Sequence, residues 1–478
     1  MTVLRAAGTA GGPAVRPARL AVAAGAVCVL GWAVVAVLGP SAAVPDLGAG
    51  FGALDLGARP GSALVTVLLA VSVLAGGVGL GAGVRAVHRG WRPRRALLLA
   101  AVAALVLTLV PPVGSADHLS YAAYGRIAAL GGDPYSQAPD AFAGGTDPVA
   151  SAVRDPWRST TSVYGPVGGL LMAASSLAGG TSVRTTVWAW QVLLLLVWAA
   201  VAVLAHRVLR EDAARARFAV LWTANPLLLT VGLGGAHADV LAGAAAVAAL
   251  LLARDRPGWA GVALAVAVGT KLPYGAVGVG IVVAALAARR ARPGWWVRGA
   301  VGALVVLVPA HLWAGPHAYD QTRTASRYVS LATIWRPLVD AGVPRGVLLP
   351  GMVAVVAVVA VLWWPVLVRG DELQRAAGAG AVVAAGYLLG AAYELPWYDL
   401  LLWGPLALAV VPGAWTGVLV GRLTLLAVAY VPGLVDGMSP AVEAVTLGYR
   451  REVGPWVAWA ALLLTVFWGL RCRRRVAS

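Results

Sequence analysis

The sequence predicts an all-α, polytopic membrane protein, and three observations carry that prediction. Of 478 residues, 60% are hydrophobic and 12% charged, whereas a soluble domain has roughly 25% charged residues; the mean hydropathy is +0.80. Apolar runs near the ~20-residue length of a transmembrane helix recur along the whole chain. These runs do not alternate apolar with polar residues, as the strands of a membrane barrel would.

Taken in order, the runs place spans near 20–38, 62–84, 96–112, 185–205, 218–235, 238–253, 258–270, 272–288, 297–315, 346–368, 376–392, 397–413, 415–434 and 453–470. Together they make one bundle of about 13–14 helices over residues 1–478. The first run follows an Arg-containing head and ends at VLGPSAAVP. It resembles a secretory signal, but it is long, and we read it as a retained span. The stretch 164–178, YGPVGGLLMAASSLA, is apolar but only 15 residues long. It reads as an interfacial or re-entrant helix within an outer loop, 113–178. A second outer stretch is 316–345.

The net charge of +17 is explained by topology. With the N-terminus in the cytoplasm, the inner segments hold 24 of the 37 basic residues and five of the 20 acids; Arg422 falls inside a span. The outer side is then slightly acidic, as the positive-inside rule expects, and no nucleic-acid partner is needed. Both termini are expected in the cytoplasm. Counting 164–178 as a crossing would move HRVLREDAARAR to the outside, against that rule. The two cysteines, Cys28 in the first span and Cys472 near the C-terminus, offer no disulfide framework or zinc site. One Lys stands among 36 Arg, with abundant Ala, Gly and Val, a composition suggesting a GC-rich bacterial genome.

The same threading puts five polar clusters on the outer face. SADHLSYAAYGRIAALGGDPY carries Asp117, His118, Tyr121 and Tyr135; GGAHADV carries His237 and Asp239; GTKLPYG carries Lys271, the single lysine. HAYDQTRTASRY carries Arg323 and Arg327, and YELPWYD carries Glu394, Trp397 and Tyr398. Each has a plain structural reading. Asp117 suits a helix cap, Lys271 suits snorkelling, Arg323 and Arg327 suit a solvated helix face, and Trp397 with Tyr398 suits an aromatic belt. Their convergence argues for a site, since ionisable groups at membrane depth usually mark one. A carboxylate can take the proton of an attacking hydroxyl. With an ordinary pKa near 4, it must take it as the new bond forms. Lys or Arg can hold a departing phosphate, and aromatic faces suit sugar rings. The set fits transfer of a sugar from a polyprenyl phosphate to an acceptor outside the cytoplasm.

The segments SADHLSYAAYGRIAALGGDPYSQAPDAF, DPWRSTTSVYGPVGGLL, NPLLLTVGLGGAHADVLAGAAAVAALLLA and PWYDLLLWGPL resemble, in motif order, actinobacterial GT-C glycosyltransferases. The resemblance is to the polyprenol-phosphate-mannose-dependent α-1,6-mannosyltransferase family of lipomannan assembly in the cell envelope. It implies a GT-C bundle in the bacterial plasma membrane with an extracytoplasmic active site. It also implies an inverting transfer of mannose from a polyprenyl-phosphate-mannose donor to a glycolipid or glycan acceptor. Asp117 matches the catalytic acid of the first long outer loop and is the expected general base. Tyr121 and Gly125 follow in the same motif, Asp133-Pro134-Tyr135 matches an N-P-Y-like turn, and Tyr164-Gly165-Pro166 matches the Y-G-P turn. His237 and Asp239 match an H-N-D turn in which Ala238 replaces Asn. The resemblance implies no metal or other cofactor. Lys271 and Arg323 as phosphate ligands are a physical inference, which the family motif does not fix. Two alternatives remain at this point: a GT-C arabinofuranosyltransferase or mannosyltransferase of another linkage, and a transporter or flippase of lipid-linked sugars. A transporter would be expected to carry inverted repeats and midplane charges.

Overall fold

A computed structural model describes residues 14–289, 293–434 and 436–477; the N-terminal head through residue 13 lies outside the described residues. Regular structure among them is helical, apart from an isolated antiparallel bridge between Ser41 and Val44. Six helices are long and apolar enough to cross a bilayer: Val15–Leu38, Ser62–His88, Val183–Val208, Pro293–Ala314, Arg345–Leu367 and Pro440–Arg475. Asp212–Thr223 and Leu228–Gly234, bent by 51° at their junction, make a seventh if taken as one broken span. Along Ser62–His88, Leu64, Val67, Val71, Leu74 and Val78 form one exposed apolar face, a surface suited to hydrocarbon and not to water. The protein is a multi-pass membrane protein.

Thirteen to fourteen full crossings are not met by length. The apolar runs do form helices, but many are short. Ala238–Leu252 has 15 residues, about 22 Å at 1.5 Å per residue, against a hydrocarbon core of about 30 Å. Pro257–Thr270, Gly275–Ala287 and Leu400–Leu408 are shorter still. Proline and glycine explain the breaks. The run read as 218–235 is interrupted at Asn225-Pro226, where proline has no N–H to continue the ladder. Asn225 bridges the gap: its Nδ2 donates to Leu221 O at 3.1 Å and its Oδ1 accepts from Leu227 N at 3.1 Å. The stretch 164–178 forms the 14-residue helix Pro166–Gly179, opened by proline at its first turn.

Ala238–Leu252 is the central helix, with 13 of its 15 residues buried. It packs against Val183–Val208, Pro257–Thr270 and Leu400–Leu408, and its alanines allow backbones to approach closely. Its N-terminus carries Asp239, which ties this packing core to the polar site.

Candidate active site

Asp117 opens the helix Asp117–Ala129, just past the 94–109 helix and an extended turn. Its backbone N–H donates to Ser115 Oγ at 3.0 Å. Side chains three, four and seven residues along a helix share a face. Asp117, Ser120 and Tyr124 accordingly line one cavity, while Tyr121 reaches His237. Gly125 lies where the helix Pro166–Gly179 crosses; a Cβ there would fall 2.3 Å from Met172 O. The Y-G-P turn is set by a similar constraint. Gly165 donates to Thr270 O at 3.0 Å, and a Cβ on it would meet Gly269 O at 2.4 Å. This close approach presents Tyr164 to the same cavity, beside the loop that carries Lys271.

The turn before the central helix bends through Ala236 at φ +54. Trp190 Nε1 donates to Ala236 O at 2.9 Å and His237 N donates to Gly232 O at 3.1 Å. The His237 ring is stacked on Trp397, centroids 3.6 Å apart and 12° from parallel. Its Nδ1 stands 3.5 Å from both Asp117 Oδ2 and the Tyr121 hydroxyl. Two residues on, Asp239 Oδ2 pairs with Lys271 Nζ at 2.7 Å, and the Tyr274 hydroxyl donates to Asp239 O at 3.1 Å. The ammonium lies 3.9 Å from the Tyr398 ring centroid and 5.9 Å from that of Tyr164.

The cavity has a volume of about 860 Å³. Of the expected site residues, Asp117, Tyr164, Asp239, Lys271, Trp397 and Tyr398 line it; Tyr121 and His237 stand directly behind Asp117. The others are placed differently. His118 is buried and neither ring nitrogen has a hydrogen-bond partner, because it lies one residue off the Asp117 face. Tyr135 packs with Ala314 and Ala318 in a separate cluster, and Asp133 shapes its turn by accepting from Tyr135 N at 2.8 Å. Arg323 is exposed and pairs with Asp320 at 3.1 Å, and Arg327 is exposed as well. It is Tyr319, Thr322 and Ser326 that face the cavity; Arg323 falls on the other side of the short helix Asp320–Ala325, and Arg327 lies past its end. Glu394 is buried against Arg422, which also pairs with Asp399. This ion triad anchors the P-W-Y-D segment and does not line the cavity.

Sequence reasoning missed several lining residues: Tyr387, Tyr393, Tyr430, Arg154, Trp157 and Arg450. Arg450 left one usable signal, since the topology predicted from the sequence puts Arg450-Arg451 at the outer end of the last span, against the positive-inside rule.

Electrostatics set Asp117 and His118 apart. Burial alone would push the Asp117 carboxyl up, but hydrogen bonding and charge from His237, with Lys271 and Ser115, outweigh it and hold the group below its usual 3.8. Asp117 is therefore an ionised acceptor at neutral pH. Burial, with His237 nearby, pushes His118 down to about 3 against the opposing pull of Asp117. It stays neutral.

The fold and the cavity define a helical membrane protein with a carboxylate, a paired lysine and aromatic rings around one site. Comparison with known proteins fixes the family. A family model of the alpha-(1->6)-mannopyranosyltransferase N-terminal domain matches residues 19–289. The chain belongs to this family of GT-C mannosyltransferases. It is 27% identical over 340 residues to alpha-(1->6)-mannopyranosyltransferase A of Corynebacterium glutamicum, covering 62% of this chain and 67% of that protein. Among solved structures, ArnT from Cupriavidus metallidurans bound to undecaprenyl phosphate is similar at 16% identity and a TM-score of 0.43, over 78% of this chain and 76% of ArnT.

Proposed function

We propose that this protein moves mannose from a polyprenyl-phosphate-mannose donor to a glycolipid or glycan acceptor of the cell envelope, on the extracytoplasmic face of the bacterial plasma membrane. The observation that carries the reading is the Asp117 carboxylate, held ionised by its neighbours, at the wall of a cavity large enough for a sugar and its acceptor. The acceptor hydroxyl attacks the anomeric carbon as the bond from that carbon to the phosphate oxygen breaks. The bonding pair leaves on the phosphate, the hydroxyl proton passes to Asp117, and the configuration inverts. His237, stacked on Trp397, orients the carboxylate, and Tyr164, Trp397 and Tyr398 offer aromatic faces to the sugar.

The helix Ser62–His88 supports the choice of face. Ser62 lines the cavity at its start, and Arg85 and His88 stand at its far end. That end is the one the positive-inside rule assigns to the cytoplasm. The test is incubation of purified protein with polyprenyl-phosphate-mannose and candidate mannosylated acceptors, with mass analysis of products. A product heavier than the acceptor by one hexose is the expected result. Hydrolysis of the donor alone, or no consumption of it, sinks the reading.

A further inference from the structure

We propose that Arg450 is the residue that holds the phosphate of the lipid donor. The proposal rests on the polyprenyl-phosphate reading above and comes from a census of positive charge around the cavity.

Four cationic side chains line it: Arg59, Arg154, Lys271 and Arg450. Arg59 pairs with Asp46 at 3.2 Å, Arg154 with Asp436 at 3.0 Å, and Lys271 with Asp239 at 2.7 Å. Each of these charges already faces a carboxylate. Among the described residues no acid pairs with Arg450. Its Nε donates to Ala429 O at 2.7 Å, its guanidinium lies 4.2 Å from the Tyr430 ring centroid, and its Nη2 is buried without an acceptor. A buried donor without a partner is costly, and more so when charged. An anionic acceptor in the cavity removes that cost.

The local backbone fits the same role. Arg450 sits in a π-helical turn, Tyr449–Val453, at the head of the last spanning helix; such turns occur frequently at functional sites. Contact with Ala429 and Tyr430 holds the guanidinium in place and leaves Nη2 without an acceptor; a planar guanidinium is suited to binding phosphate oxygens. Arg450 and Tyr393 line the same cavity as Asp117. When the glycosidic bond breaks, the phosphate goes from a singly charged diester to a monoester with one more negative charge. A fixed cation favours that added charge. Lys271, already neutralised by Asp239, is a positioning residue for the central helix and the aromatic wall.

The experiment compares binding of decaprenyl phosphate with that of neutral decaprenol to the purified full chain, by native mass spectrometry. Wild type should prefer the phosphate. Arg450→Gln should lose that preference by roughly tenfold, the usual scale for one charge-assisted hydrogen bond. Asp117→Asn should keep it, because it removes the base and leaves the cation. A second readout on the unmutated protein does not depend on whether the variant folds. Decaprenyl phosphate should slow modification of Arg450 by phenylglyoxal, read by peptide mass analysis, and decaprenol should not. Undiminished preference in Arg450→Gln, or equal modification with both lipids, overturns the assignment. If wild type itself shows no preference for the phosphate, the donor reading fails first and this inference with it.

Discussion

The two halves of the chain contribute to one cavity by different means. The first part of the chain, residues 19–289 matched by the family model, supplies the Asp117 carboxylate, the histidine turn and the lysine. Its polar groups sit at helix ends beside apolar runs and are placed by backbone geometry: the Ala236 turn before His237 and the Gly165–Gly269 approach that sets Tyr164 beside the Lys271 loop. The second half supplies walls: the P-W-Y segment, Tyr430 and Arg450. Its P-W-Y-D segment is held by an ion triad buried within the bundle, where Arg422 joins Glu394 and Asp399. Chemistry placed by backbone contact in one half faces aromatic walls placed by buried charge in the other. Substitutions in the two halves should therefore fail in different ways.

The largest effect on turnover is expected at Asp117. Asparagine keeps the shape but cannot take a proton. Asp117→Asn should lower the rate of mannose transfer by roughly 10²–10⁴-fold, the usual scale for a positioned base, with a drop in melting temperature no larger than the lost carboxylate–His237 interaction accounts for. Near wild-type turnover in that variant would remove the base assignment. The largest effect on stability is expected in the other half. Arg422→Leu leaves two carboxylates buried without their cation, which costs about 3–5 kcal/mol. The melting temperature in detergent should drop sharply, and adding Glu394→Gln and Asp399→Asn should recover much of it. A small drop would mean that the triad does not hold the second half together.

This contrast also explains what the sequence made legible. The helical membrane fold followed from run length and hydropathy. The places where the helices break did not, because a run of apolar residues does not reveal where Asn225-Pro226 interrupts the ladder. Asp117, Tyr164, His237 and Lys271 were legible because a polar residue just outside an apolar run is conspicuous. His118 and Tyr135 shared that conspicuousness, and burial took them out of the site. Arg323 lies off the cavity by helical phase, since Tyr319 and Thr322 turn inward instead, and Arg327 lies past the end of that helix. Glu394 was legible as polar, but its partner Arg422 lay inside an apolar run 28 residues away, and that separation hid the pairing.

The Lys271–Asp239 pair tests where the first half stops being catalytic and becomes structural. Lys271→Met leaves Asp239, which is 1% exposed, without its cation. A loss of about 1–3 kcal/mol is expected, less than at Arg422, because Lys271 also borders the cavity. Asp239→Asn in the same chain should recover part of it. Purely additive melting shifts would show that the two side chains act independently. The apparent KM for the lipid donor should also rise, because the aromatic wall around the ammonium loses its anchor.

The smallest effect is expected at His118, and it separates burial from catalysis within the reactive helix. Its folded pKa, about 3, lies below the ordinary 6.5, so between those values the unfolded chain binds the extra proton. Stability is then complete above 6.5 and declines as pH falls toward 3. Asp117, whose folded pKa is depressed, contributes stability above its ordinary 3.8 that is lost only below that value. The window from pH 7 to pH 5 therefore reports His118 and not Asp117. His118→Leu, which fills the site with a side chain needing no partners, should flatten the fall in melting temperature across that window and leave mannose transfer at pH 7 unchanged. An equally steep fall in the variant would place the acid sensitivity elsewhere. Lost transfer at pH 7 would mean that the histidine takes part in the site after all.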